Sequence, residues 1–293
     1  MESRAYGKSG FQVSVVGLGA GHIGSEHADD KAVDQLLNGA LDAGVTLIDT
    51  ARGYGLSEER IGRFISHRRR EFILSTKVGY GVNGIPDWTP AVISAGITNA
   101  LKLLKTDYLD IVHLHSCPLD VLKNSDLVNE LQNEVTKGRI RVAAYSGEND
   151  ALTYAVHSGA FGGLQCSVNI ADQRSTDTIL PAAGRAGMGI IAKRPLANMA
   201  WRFKDRPTGE YAETYWTRLQ EMKLDPTPFS WTEMALRFAM AIPDVHSCIV
   251  GTSNLEHLLK NIEIANRGKL PERMFHHIRK AFVAHDRGWM GEV

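Results

Sequence analysis

The chain has 293 residues, 43% of them hydrophobic, enough to bury a large core as one barrel-sized domain or two smaller ones. Lysine plus arginine equals aspartate plus glutamate at 33 each, which removes the net field that nucleic acid or an acidic membrane surface would attract and suits a small neutral substrate. Cys117, Cys166 and Cys248 are odd in number and lack CxxC spacing, against a disulfide framework or structural zinc. The polar start MESRAYGKSG and the absence of an apolar run near about 18 residues predict an unprocessed cytoplasmic protein with no membrane span.

Along the chain, GKSG predicts an N-terminal hairpin placed to plug the bottom of whatever follows. Eight short apolar or β-branched runs come next: VSVVGLG from Val13, TLIDTA from Thr46, FILSTKV from Phe72, LDIVHLH from Leu109, IRVAAYS from Ile140, LQCSVNI from Leu164, GIIAKRP from Gly189 and SCIVGT from Ser247. Helix-periodic stretches alternate with them. DKAVDQLLNGALDAG, SEERIGRFISH, TPAVISAGITNALKLL, SWTEMALRFAMA and NLEHLLKNIEIANR each open at a capping-type Asp, Ser, Thr or Asn, and several helices close at Gly, as at Gly44 and Gly138. With no Pro/Gly/Ser-rich linker, this alternation predicts one closed (β/α)8 barrel, a TIM barrel, over residues 1–293. Two additions follow: a long insert before the seventh helix, residues 197–228, and a C-terminal helix near PERMFHHIRKAFVAH. The insert carries Trp201, Phe203, Tyr211, Tyr215 and Trp216, of which plain packing accounts for about half, and its length predicts a functional segment.

Gly19, Gly21 and Gly24 spell GxGxxG after a strand, and Asp49 ends the next, as in a Rossmann dinucleotide site. No helix opens within these glycines, because SEHAD follows and the helix starts near Asp29. They read instead as the first βα loop at the barrel's C-terminal mouth.

Catalytic groups of a barrel gather at that mouth. Asp49 ends the second strand, with Tyr54 just beyond it; Lys77 ends the third and His115 the fourth. Asp49 and Lys77 project inward from adjacent strands, at a depth where an unpaired charge is costly. An ammonium beside the Tyr54 hydroxyl favours its phenolate form, which makes the phenol a usable general acid.

In type, order and strand position, Asp49, Tyr54, Lys77 and His115 resemble the tetrad of the aldo-keto reductases. Further segments carry the likeness across nearly the whole chain: IDTARGYG-SE--IG, STKVG, DYLDIVHLH, GRIRVAAYSG and GTSNLEHLLKNI. The resemblance implies hydride exchange between a nicotinamide cofactor and a carbonyl or alcohol, with Tyr54 as proton donor, His115 orienting the carbonyl, Lys77 tuning Tyr54 and Asp49 holding Lys77. By it, Ser146 and Gln165 hold the carboxamide, and Lys193, Arg194 and Leu196 run along the ring and pyrophosphate. The adenosine end rests on Gly251, Thr252, Ser253, His257 and Asn261. NADP(H) is implied as the preferred cofactor, with NAD usable. The margin is reduced because Gly251 and His257 stand where strong phosphate binders carry cations, and it shrinks further as pH rises and any His257 charge is lost.

Gly147 replaces an Asn usual after the strand-five Ser, and Lys193 an aromatic that stacks on the ring. Ala20 to His22 and Ser116 stand where many relatives have aromatics, implying a wider, more polar pocket. Two other readings stay open. His113-x-His115 sets two imidazoles on one strand face as in a metal-dependent barrel hydrolase, though no acid or imidazole at the ends of strands five, six or eight completes a ligand shell. A barrel of this family also serves as a cofactor-binding regulatory or sensor subunit, a reading the intact tetrad opposes. Oligomeric state, physiological substrate and reaction direction are not encoded in any motif.

Overall fold

A computed structural model describes residues 1–292. β1 (Ser3–Ala5) and β2 (Gln12–Ser14) form an antiparallel hairpin, pairing Arg4 with Val13. Eight parallel strands then close a barrel: β3 (Val16–Gly19), β4 (Leu47–Asp49), β5 (Ile73–Val78), β6 (Leu109–His115), β7 (Ile140–Ser146), β8 (Gly163–Ser167), β9 (Gly189–Lys193) and β10 (Ser247–Gly251), with β10 against β3. Around it lie α1 (Asp30–Asp42), α2 (Ser57–Phe64), α3 (Pro90–Leu104), α4 (Leu119–Leu122), α5 (Ser125–Thr136), α6 (Asn149–His157), α7 (Ile179–Ala186), α8 (Glu213–Met222), α9 (Trp231–Ala241), α10 (Leu255–Asn266) and α11 (Glu272–His285).

Two expectations change at the element ends. The run expected to start at Val13 as one strand is two, because Ser14 turns the chain: its hydroxyl donates to Val16 O at 2.7 Å and accepts from Thr46 N at 2.9 Å. Asp29, Thr89, Ser230 and Asn254 cap helices through their side chains as expected, but Ser57 does not. Its buried hydroxyl donates instead to Ala20 O at 2.8 Å and meets Thr50 Oγ1 at 2.8 Å, tying the second βα loop to the first.

The main core lies between the barrel wall and the helices. A separate apolar cluster fills the bottom, where Tyr6 and Val13 of the hairpin region meet Leu47, Ile111, Val142 and Ile191. Gly163 and Gly189, the first residues of β8 and β9, make room for the Tyr6 ring. A Cβ on Gly189 would lie 2.3 Å from it, and one on Gly163 would lie 2.5 Å from its hydroxyl.

The long insert has structure of its own. It holds a short 3-10 segment, Ala197–Arg202, and α8, and three of its aromatics pack: Trp201 stacks on Trp231 at 5.7 Å, Trp216 donates to Phe203 O at 3.0 Å, and Tyr215 is buried. Among the described residues no helix is long and apolar enough to cross a membrane.

Candidate active site

Strand register brings the polar strand ends together. Asp49 pairs with Gly19 on one side and Ser75 on the other; Lys77 pairs with His113, His115 with Ser146, and Ser146 with Gln165. Since alternate residues of a strand share a face, Ser75 and Lys77 both point toward Asp49. Lys77 Nζ lies 2.6 Å from Asp49 Oδ2 and donates to Thr50 O at 2.8 Å. Asp49 Oδ1 accepts from Ser75 Oγ at 2.7 Å and from Gln165 Nε2 at 2.8 Å. Both charged groups are about 1% exposed. Burial disfavours the Lys77 charge, yet Asp49 and then Tyr54 outweigh it and hold the ammonium above its ordinary pKa. Burial likewise disfavours the Asp49 carboxylate, and Lys77 and His113 hold it below the usual range.

Tyr54 is half-buried above this pair, with Lys77 Nζ 4.9 Å from its ring centroid. His115 meets it edge-on, centroids 5.8 Å apart at 84°. Burial, then the Lys77 and Lys193 charges, push the His115 imidazole down to about 3, so the ring is neutral near pH 7. His113 does not join it on a ligand face. It is fully buried, with Nε2 3.1 Å from Ser75 Oγ. The Ser75 proton is committed to Asp49, so His113 donates through Nε2.

Two adjoining cavities open above. One of about 320 Å³ is lined by Tyr54, His115, Ser146, Gln165, Lys193 and Arg194. The other, about 360 Å³, runs from Asp49 and Tyr54 past Arg194 and Leu196 to Gly251, roofed by insert residues including Arg202 and Tyr211. They share Tyr54, Arg194, Tyr211 and Ile249. Thr252, Ser253, His257 and Asn261 line neither cavity; they lie around the start of α10, with Ser253 and His257 exposed and Thr252 Oγ1 accepting from Asn254 N at 3.0 Å. An elongated cofactor fits this arrangement: the glycines at positions 19, 21 and 251 keep the groove floor open, and Arg194 stands where the cavities meet.

Several contacts that matter to this geometry carry no sequence signal. Lys193 Nζ is taken by Glu148, 3.3 Å away, which also accepts from Ser167 N at 2.7 Å. The Lys193 ammonium at the cavity wall is thus paired with a carboxylate. Gly147 is required because a Cβ there would lie 2.4 Å from the Tyr145 hydroxyl. Outside both cavities, Tyr80 stacks on the His115 imidazole at 5.4 Å, backed by Trp88 at 5.7 Å.

Known proteins share this fold and sequence. The Aldo/keto reductase family profile matches residues 15–282. The chain is 28% identical to a Bacillus subtilis (strain 168) protein called uncharacterized oxidoreductase YqkF, across 93% of this chain and 94% of that one. It is 27% identical to the L-galactose dehydrogenase of Arabidopsis thaliana, across 89% of this chain and 87% of the relative. The fold also matches the holo form of aldo-keto reductase AKR11C1 from Bacillus halodurans, with TM-score 0.84, 24% identity and 96% of each chain covered.

Proposed function

The chain belongs to the aldo/keto reductase family of oxidoreductases, which act on carbonyl and sugar substrates with nicotinamide cofactors, and on that premise we propose that it interconverts a carbonyl and an alcohol with Tyr54 as general acid and base. The observation that carries this reading is the buried Lys77–Asp49 pair set against the ring of Tyr54, with neutral His115 across the same cavity. A reduced nicotinamide, when bound, supplies hydride to the carbonyl carbon. The substrate oxygen lies between the Tyr54 hydroxyl and the His115 imidazole. Tyr54 delivers a proton to that oxygen, and the Lys77 ammonium stabilises the charge left on the phenolate. Neutral His115 polarises the carbonyl as a hydrogen-bond donor without releasing a proton. Asp49 fixes the ammonium, and the Ser75 and Gln165 bonds fix Asp49. Alcohol oxidation reverses the same transfers.

Ser146 and Gln165 would hold the carboxamide of a bound nicotinamide, the Lys193 stem would flank its ring, and Arg194 and Leu196 would take the pyrophosphate. Gly251, Thr252, Ser253, His257 and Asn261 take the adenosine end. NADPH is preferred over NADH by a modest margin: the start of α10 offers backbone N–H groups and hydroxyls to a 2′-phosphate but no Arg fork. Comparing kcat/KM for the two cofactors checks this; a preference for NADH would refute it.

The deciding experiment assays NADPH oxidation with a panel of aldehydes, ketones and aldose sugars, and NADP reduction with sugars, since one relative is a sugar dehydrogenase. Tyr54→Phe should lower turnover by roughly 10² to 10⁴ with the fold and NADPH affinity kept. Near-normal turnover in that variant would sink the assignment.

A further inference from the structure

The loop after β5 holds a phenol against the imidazole of His115. Tyr80 is half-buried, its ring stacked on His115 at 5.4 Å and 21°, and its hydroxyl is 2.8 Å from His115 Nδ1. Neighbouring contacts lock this position. Gly79, at φ +136°, passes so close under Trp88 that a Cβ would lie 2.2 Å from the indole. Trp88 N donates to Gly79 O at 2.7 Å, Arg52 Nε donates to Gly81 O at 2.8 Å, and Gly81 N donates to Asp87 at 2.9 Å. On its far side the Tyr80 hydroxyl abuts Gly53, where a Cβ would come within 3.2 Å.

We propose that Tyr80 is a positioning residue: its hydroxyl donates to His115 Nδ1, so the imidazole carries its one proton on Nε2 and presents that N–H to the substrate oxygen. A neutral imidazole has one donor and one acceptor nitrogen, and the partner of one sets the role of the other. His115 is neutral because burial and the Lys77 and Lys193 charges oppose a second proton. Burial keeps the Tyr80 phenol protonated, and His115 Nδ1 is the hydrogen-bond partner found for its hydroxyl among the described residues. The reverse polarity would leave the Tyr80 proton without a protein acceptor and turn a bare nitrogen toward the carbonyl oxygen, lone pair against lone pair. The stack adds a second restraint by fixing the plane of the ring.

This inference rests on the carbonyl-reducing reading above, and its first measurement needs no turnover. In protein labelled with ¹⁵N-histidine, bound to NADPH, two-bond ¹H–¹⁵N correlations should show His115 bare at Nδ1 and protonated at Nε2. In Tyr80→Phe, which keeps the stacked ring, the Nδ1 resonance should move as its donor is lost. The kcat/KM for NADPH-dependent reduction of 4-nitrobenzaldehyde should fall about tenfold, the worth of one net hydrogen bond, with NADPH affinity and the circular dichroism spectrum unchanged. A proton on Nδ1 in the parent protein would overturn the proposal. So would a Tyr80→Phe variant that loses rate with the Nδ1 resonance unmoved, since Tyr80 would then act through packing alone, or one that keeps the parent rate. If Tyr54→Phe retained its rate while the His115 resonances stood as expected, the proposed chemistry would fail and the tautomer assignment would remain.

Discussion

Asp49 receives an ammonium, a hydroxyl and an amide, and this saturation lets two opposite charges sit almost without water at the centre of the mouth. Breaking a buried pair costs about 3–5 kcal/mol because it strands the remaining charge. Lys77→Met should therefore lower the unfolding free energy measured in urea by that order and cut turnover at least about 10²-fold. Adding Asp49→Asn should restore part of the stability and none of the turnover; recovery of both would remove Lys77 from the chemistry. His113 gives a second test. Burial pushes it down to about 4 from an ordinary value of 6.5. As pH falls through 6.5 toward 4, the unfolded chain takes up a proton that the fold refuses, so His113 contributes stability at neutral pH that is lost in that window. Asp172, pushed up to about 7 by burial and then Glu148, works in the opposite sense over the same range, so the difference between variant and parent isolates the histidine. The pH slope of unfolding free energy should be shallower in His113→Asn by about 1.4 kcal/mol per pH unit between those limits. An unchanged slope would mean that His113 takes up its proton in the fold.

Among the elements, Arg194 ties the insert to the rest of the mouth, beside the Tyr215 and Arg218 bonds to Asp172 and Ala171. Arg194 donates to the Tyr211 hydroxyl, to Ser167 Oγ at 2.8 Å and to Glu292 O, so insert, barrel and C-terminal segment share a guanidinium. Trp201, Tyr215 and Trp216 anchor the insert, while Tyr211, 59% exposed, overhangs both cavities. That division into an anchored part and an overhanging part fits a segment that closes over bound cofactor. Amide exchange in residues 197–212 should slow on adding NADPH, while α8 changes little. Equal exchange with and without cofactor, and with substrate added, would count against closure.

At the scale of the whole molecule, the two ends of the barrel have separate tasks, because inward side chains near strand starts pack against the hairpin and those at strand ends face the cavities. Tyr6, fully buried in the bottom, lines neither cavity of the mouth. Tyr6→Ala should cost about 3–5 kcal/mol, the usual price of a large aromatic truncated in a core. Below the melting transition its kcat/KM should match the parent. Thermal unfolding and steady-state rates together check this; a rate loss at full folding would show that the bottom plug reaches the chemistry.

Local pattern was enough to identify eight βα units, the bottom-plugging hairpin, Asp49, Lys77 and His115 at strand ends and Tyr54 just beyond one, because periodicity, capping and strand ends are written within a few residues of each other. The same locality placed GxGxxG in a barrel loop, where β3 ends at Gly19 and α1 begins only at Asp30. What the pattern could not hold was the identity of neighbours brought in by closure of the barrel. Ser57 looks like a cap in sequence and becomes a tie between two loops. Lys193 stands in sequence where relatives carry an aromatic, and meets Glu148 of the β7 loop. Tyr80 stands in a glycine-rich loop with no periodicity to aim it, and reaches His115 only because β5 and β6 lie side by side and Gly79 bends under Trp88. Register and closure are long-range properties, set when every strand finds both partners. The residue types at the strand ends were therefore fixed by sequence, whereas their partners, charges and orientations were decided by the tertiary fold.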